Sequence, residues 1–284
     1  MSDQSLLSVV VTTYNRSETV AQVLRALAVQ TDRQFEVVIA DDGSNAQHQQ
    51  AIALSAAACH LKVTHVWHPD VGFTASVARN RGVFHSSGNY IIFIDGDCVP
   101  DVDFIAQHRA IREADCFVNG SRVLLSPSFT DQVISENLNL AGRSLGYWLQ
   151  RRICGDCSKL TGQLRFPLSR GRRQAQFRWR GIKSCNMGVW RHHFELVNGF
   201  DSTFNGWGHE DADFVLRLHN AHVIRKNGFC ATEVYHLWHR EANRQSESFN
   251  AEKVRSRIGT GQVCADIGYA QLANDASVVV RRWG

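Results

Sequence analysis

The chain has 284 residues, of which 44% are hydrophobic and 20% charged, with a formal net charge of +4. This is enough chain to bury a sizeable core without disulfide staples, and so small a charge does not by itself mark a nucleic-acid partner. No run approaches the roughly 18 apolar residues of a membrane span, and the first residues lack the basic start and apolar stretch of a signal peptide, so a cytoplasmic protein is expected.

Leu7 to Thr13 is apolar and β-branched and reads as a buried strand. Ser17 is placed to cap the next helix, where Val20, Val23, Leu24 and Leu27 recur at helical spacing. Phe35 to Ala40 is a second strand, ending in the turn signal Asp41-Asp42-Gly43-Ser44. A helix over about 45–58, a short strand Val63 to Trp67 and a helix Thr74 to Phe84 follow. Tyr90 to Ile94 is the fourth strand, Asp103 to Ala114 a helix, and Phe117 to Leu125 a further strand. Such alternation implies a mostly parallel, Rossmann-like α/β sheet flanked by helices, with ligands beyond the carboxyl ends of its strands. The polar clusters Thr13-Tyr14-Asn15-Arg16, Asp41-Asp42 and Asp95-Gly96-Asp97 fall at those ends.

A helix is predicted over about Asp131 to Leu149, then a basic stretch: Arg151, Arg152, Lys159, Arg165, Arg170, Arg172, Arg173, Arg178 and Arg180, opposed in sequence only by Asp156. It reads either as a solvated loop or as a surface for a phosphorylated lipid or anionic glycan, including peripheral contact with a membrane through residues 151–180. Eight scattered cysteines, Cys154-Gly155-Asp156-Cys157 included, read as free thiols, with a small zinc site as the alternative. A helix opens near His209, and from about Ser246 the chain reads as a helix and a weakly patterned tail.

Three clusters carry chemistry. Asp95-Gly96-Asp97 sets two carboxylates on a turn leaving a buried strand, hard ligands suited to Mg²⁺ or Mn²⁺ with phosphate oxygens in the shell. Val234 to His239 ends in two imidazoles that could complete such a set. Gly206-Trp207-Gly208-His209-Glu210-Asp211-Ala212-Asp213 puts a tryptophan on a glycine loop in front of three acids. The helix dipole accounts for one or two acids at a helix start; a carboxylate general base, placed to take a proton from an incoming hydroxyl, accounts for the set.

Together, Val9–Arg16, Val37–Ser44, Ala78-Arg79-Asn80-Arg81-Gly82 and Asp95-Gly96-Asp97 resemble the family 2 glycosyltransferases of the GT-A fold. Gly199-Phe200-Asp201 and Gly206–Asp213 resemble the C-terminal half shared by β-1,4-galactosyltransferases, polypeptide N-acetylgalactosaminyltransferases and bacterial chondroitin polymerases. The resemblance implies an inverting, metal-dependent transferase moving a hexose or N-acetylhexosamine from a nucleotide diphosphate sugar, UDP-linked by preference, to a glycan or lipid-linked acceptor in surface polysaccharide or lipopolysaccharide synthesis. It places Thr13, Tyr14, Asp42, Arg79 and Asp95 at the nucleotide, Asp97 and His239 on Mn²⁺ or Mg²⁺ with His236 as second candidate, and Asn186 at the donor sugar. Trp207 would face the sugars, Glu210 would hold a sugar hydroxyl, and Asp211 would be the catalytic base. Residues 1–125 would be the nucleotide-sugar half, 126–245 the acceptor and catalytic half with a basic insert at about 150–180, and 246–284 a helical tail. His209, where the galactosyltransferases usually carry glycine, and Ala212, in place of an acid, depart from the pattern, so sugar identity does not transfer.

The competing readings are a non-catalytic sugar-nucleotide or glycan-binding subunit on the same fold, and a dinucleotide oxidoreductase. The first lacks its expected signature, the loss of an acidic site residue. The second lacks a G-x-G-x-x-G turn, because Thr-Thr-Tyr-Asn-Arg ends the first strand.

Overall fold

A computed structural model describes residues 5–166, 168, 170–240, 244–272 and 275–283. Strands β1 (Leu7–Thr13), β2 (Phe35–Asp41), β3 (Val63–Trp67) and β4 (Tyr90–Asp95) alternate with helices α1 (Ser17–Ala28), α2 (Ala46–Ala58) and α3 (Ala75–Phe84). Then follow β5 (Cys98–Pro100), α4 (Phe104–Ile111), β6 (Cys116–Asn119), β7 (Arg122–Leu124), α5 (Pro127–Ser135), α6 (Leu145–Ile153) and β8 (Arg173–Gln174). The last third holds β9 (Asn186–Trp190), α7 (Arg191–Leu196), α8 (Glu210–Asn220), β10 (Ile224–Asn227), β11 (Val234–His236), α9 (Glu247–Arg257) and β12 (Val279–Trp283).

The main sheet has the order β12-β3-β2-β1-β4-β9-β6-β10-β8. Strands β3, β2, β1 and β4 run parallel, while β9 is antiparallel to both of its neighbours, so the sheet is mixed. Alternate residues of the buried strands enter opposite layers. Val9, Val11 and Ile39 join α1, α2 and α4 in one core; Val10, Val38 and Ala40 join α3, α7 and α8 in the other. Helix α3 lies so close to the sheet that a Cβ on Gly82 would come within 2.8 Å of Val10 Cγ1, which is why the motif carries glycine there.

A second sheet, β5-β11-β7, was not legible in the sequence. The stretch read as one strand over Phe117 to Leu125 is two: it breaks at Gly120, whose N–H donates to the Asn186 carbonyl at 2.8 Å, and β7 crosses into the small sheet. The helix read over Asp131 to Leu149 is likewise two, α5 and α6, separated where Asn137 and Gly142 take positive φ and Leu140 turns into the core. Ser17 does not cap α1. It is the first helical residue, and its hydroxyl meets His48 Nδ1 at 2.9 Å. Within the tail, β12 adds an antiparallel edge strand to β3.

All eight cysteines are free. Several arginines of the basic stretch meet carboxylates distant in sequence: Arg165 with Asp103 at 2.6 Å and Arg173 with Asp115 at 3.0 Å, beside the local pair Arg151–Asp156 at 3.2 Å. Among the described residues no helix is long and apolar enough to cross a membrane.

Candidate active site

The carboxyl ends of β1, β2 and β4 are tied by backbone hydrogen bonds. Asp42 N–H donates to the Thr13 carbonyl at 2.9 Å and Gly96 N–H to the Thr12 carbonyl at 2.8 Å. A Cβ on Gly96 would stand 2.9 Å from Val20 Cγ2 and 3.2 Å from the Thr12 carbonyl oxygen, so the middle residue of the acidic turn must be small. Tyr14 is 47% exposed and donates to Asp70 at 2.8 Å. Asp42 is buried and anchored by the Thr74 N–H at 2.8 Å and His68 Nε2 at 3.0 Å.

Asp95 and Asp97 face different partners. Asp95 meets Arg79 at 3.2 Å, and the other arm of that guanidinium meets Glu210 at 3.1 Å. Arg79 is thus a buried bridge between the acidic turn and the start of α8. Burial alone would pull its pKa down, but the two carboxylates outweigh that and hold it above the ordinary value.

Asp97 lies 3.2 Å from His239 Nε2 and 3.6 Å from His236 Nε2. Pairing of β11 with β5 places His236 opposite Cys98, and Arg16 reaches Asp97 at 3.4 Å. Burial, ahead of the opposing pull of Asp97, lowers the His236 pKa to about 4, so its imidazole is neutral and offers a lone pair. Asp97, Cys98 and His236 bring one ligand atom each within 4.8 Å of one another and His239 approaches the same carboxylate, so these residues could hold a divalent cation such as Mn²⁺.

The acidic run at α8 separates into distinct environments. Asp213 is fully buried between Arg217 at 2.8 Å and Arg257 of α9 at 2.6 Å, a framework role. Glu210 is buried against Arg79. Asp211 is partly open, accepts from Ser184 N–H at 3.3 Å, and is closely surrounded by protein. Burial, then the like charge of Glu210, push its carboxyl up to about 7, against the opposing pull of Arg79 and backbone N–H groups. His209, just before, has φ of +68°, a conformation that favours glycine; Trp179 Nε1 donates to its Nδ1 at 3.2 Å and holds it there. Trp207 is half-buried, with the Arg244 guanidinium 4.8 Å over its ring.

Asn186, expected at the donor sugar, lies inside the fold. Its side chain is fully buried, and its amide donates to the carbonyls of Ser121, at 2.9 Å, and Thr232. It fastens β9 to neighbouring segments. The sequence analysis gave no role to Cys98, which directly follows the acidic turn, or to Arg122, which the fold brings near it, and Arg16 of the first polar cluster reaches Asp97.

Residues 8–171 match the family model described as glycosyl transferase family 2, and residues 168–240 match that described as the N-terminal domain of galactosyltransferase. Validoxylamine A glucosyltransferase of Streptomyces hygroscopicus subsp. jinggangensis is 28% identical, over 77% of this chain and 52% of that protein. Hyaluronan synthase of Pasteurella multocida is 28% identical over 75% of this chain and 22% of its own length. The chain thus spans about half of the first relative and less of the second. Among solved structures, the mannosyltransferase PcManGT of Pyrobaculum calidifontis, in complex with GDP-Man and Mn²⁺, superposes with a TM-score of 0.55 at 12% identity, covering 89% of this chain and 70% of that one.

Proposed function

The chain belongs to glycosyl transferase family 2, and we propose that it moves a hexose or N-acetylhexosamine, with inversion, from a nucleotide diphosphate sugar to a hydroxyl of a glycan or lipid-linked acceptor. The observation that carries this reading is the place of Asp211: a partly open carboxyl at the start of α8, next to Glu210, which Arg79 ties to the acidic turn, and pushed up to about 7 by its surroundings. A base with a pKa near the working pH is effective at removing a hydroxyl proton. In the proposed step Asp211 takes the acceptor proton, the acceptor oxygen bonds to the anomeric carbon, and the carbon–oxygen bond to the diphosphate breaks with its electron pair on the leaving group.

Thr13, Tyr14, Asp42, Arg79 and Asp95 would serve the nucleotide, with Asp42 fixed by Thr74 and His68. Trp207 would face the sugars and Glu210 would hold a sugar hydroxyl. Asp97, His239 and His236 would hold Mn²⁺ or Mg²⁺, which, when bound, neutralises the diphosphate as it leaves.

Transfer is to be assayed against a panel of nucleotide sugars with Mn²⁺. D211N is expected to lose about 10²–10⁴-fold in turnover while binding donor with unchanged affinity, and EDTA is expected to abolish transfer. Near-normal turnover in D211N would remove Asp211 as the base. Donor binding with no transfer to any acceptor would favour the sugar-nucleotide-binding subunit.

A further inference from the structure

Arg122 opens β7 on the small sheet. Pairing sets Leu124 opposite His236 and His236 opposite Cys98. Directly paired residues point to one face, and so do residues two apart along a strand, so Arg122 shares a face with His236 and Cys98. Its side chain is half-buried, and no carboxylate pairs with it among the described residues. Its one hydrogen bond there is to the Cys185 thiol, at 4.0 Å. Asp95 and His236 both lie within its electrostatic reach. Arg79, Arg165, Arg173, Arg217 and Arg257, by contrast, all have carboxylate partners.

Burial disfavours this guanidinium, nearby Cys185, Cys98 and Asp95 offset that cost, and its fork is left without a paired carboxylate among the described residues. Its planar fork matches phosphate or carboxylate oxygens. We infer that Arg122 binds an anionic oxygen of the nucleotide sugar, beside the group held by Asp97 and His236. The inference rests on the donor reading above. Two parts of a donor could supply the oxygen: the diphosphate common to all such donors, or a carboxylate on the sugar.

Calorimetric titration of the full chain in Mn²⁺ with UDP, UMP, UDP-glucose and UDP-glucuronate tests it, using wild type, R122Q and R122K of matched melting temperature. R122Q is expected to weaken UDP binding about tenfold or more, as for loss of a charged hydrogen bond, with UMP affected much less and R122K recovering part of the loss. A loss confined to UDP-glucuronate assigns the oxygen to the sugar carboxylate. Equal affinities in wild type and R122Q for all four ligands overturn the role of Arg122 alone. If wild type binds none of these, nor GDP, ADP or dTDP, the donor reading falls, and the inference with it.

Discussion

At the residue scale, Asp211 links catalysis to stability. Its carboxyl ordinarily titrates at 3.8 and is held at about 7 here, so the charged form is disfavoured in the folded state. Below about 4 the group is protonated, folded or unfolded, and nothing is lost. As pH rises to 7 the unfolded chain gives up its proton first, and stability falls; above 7 the whole penalty is present, up to a few kcal/mol. D211N is therefore expected to melt higher than wild type at pH 8 and at the same temperature at pH 3.5, by scanning calorimetry at both pH values. The turnover of wild type should rise through about pH 7 as the base ionises, a rise expected to vanish in D211N. Glu210, Asp211 and Asp213 were all legible as acids at a helix start, but not their division of labour. That is decided by Arg79, 131 residues before Glu210, and by Arg257, 44 residues after Asp213.

At the scale of elements, α8 is aimed by what holds its two sides. Arg257 of α9 joins Asp213 at 2.6 Å and Asp201 at 2.7 Å, all of them buried. Removing one partner of such a set leaves uncompensated charge and costs about 3–5 kcal/mol. R257Q is expected to lower stability by that order in urea unfolding, with turnover surviving in the folded fraction at low temperature. The helices and strands up to β4 were readable, the clearest from a local apolar pattern, as in β1 and α1. The breaks at Gly120 and between Asn137 and Gly142 were not, because they depend on which sheet or core receives the next residues. The partners of the arginine run were equally hidden: Asp103 and Asp115 lie far from it in sequence.

Over the whole molecule, one sheet draws strands from both halves of the chain, and its outer edge beyond β3 is β12. Trp283 stacks on His65 at 4.5 Å, and His65 meets Asp41 at 2.8 Å, next to the anchored Asp42. Truncation after Val278 would bare the edge of β3 and uncover His65. It is expected to lower the melting temperature and to promote concentration-dependent association, read by light scattering, since open strand edges template pairing. The weak patterning of this tail hid the strand: Val279, Arg281 and Arg282 are exposed or nearly so, and only the partner edge makes the segment extended.

That pairing also sets a timetable. Roughly 200 residues separate β3 from β12, and chains are synthesised at about 5–20 residues per second. For about ten to forty seconds of each synthesis, β3 must wait with its outer edge unmatched. A ribosome that pauses between β3 and β12 would lengthen that interval, and chaperone dependence during translation should follow the speed at which the residues between them are made.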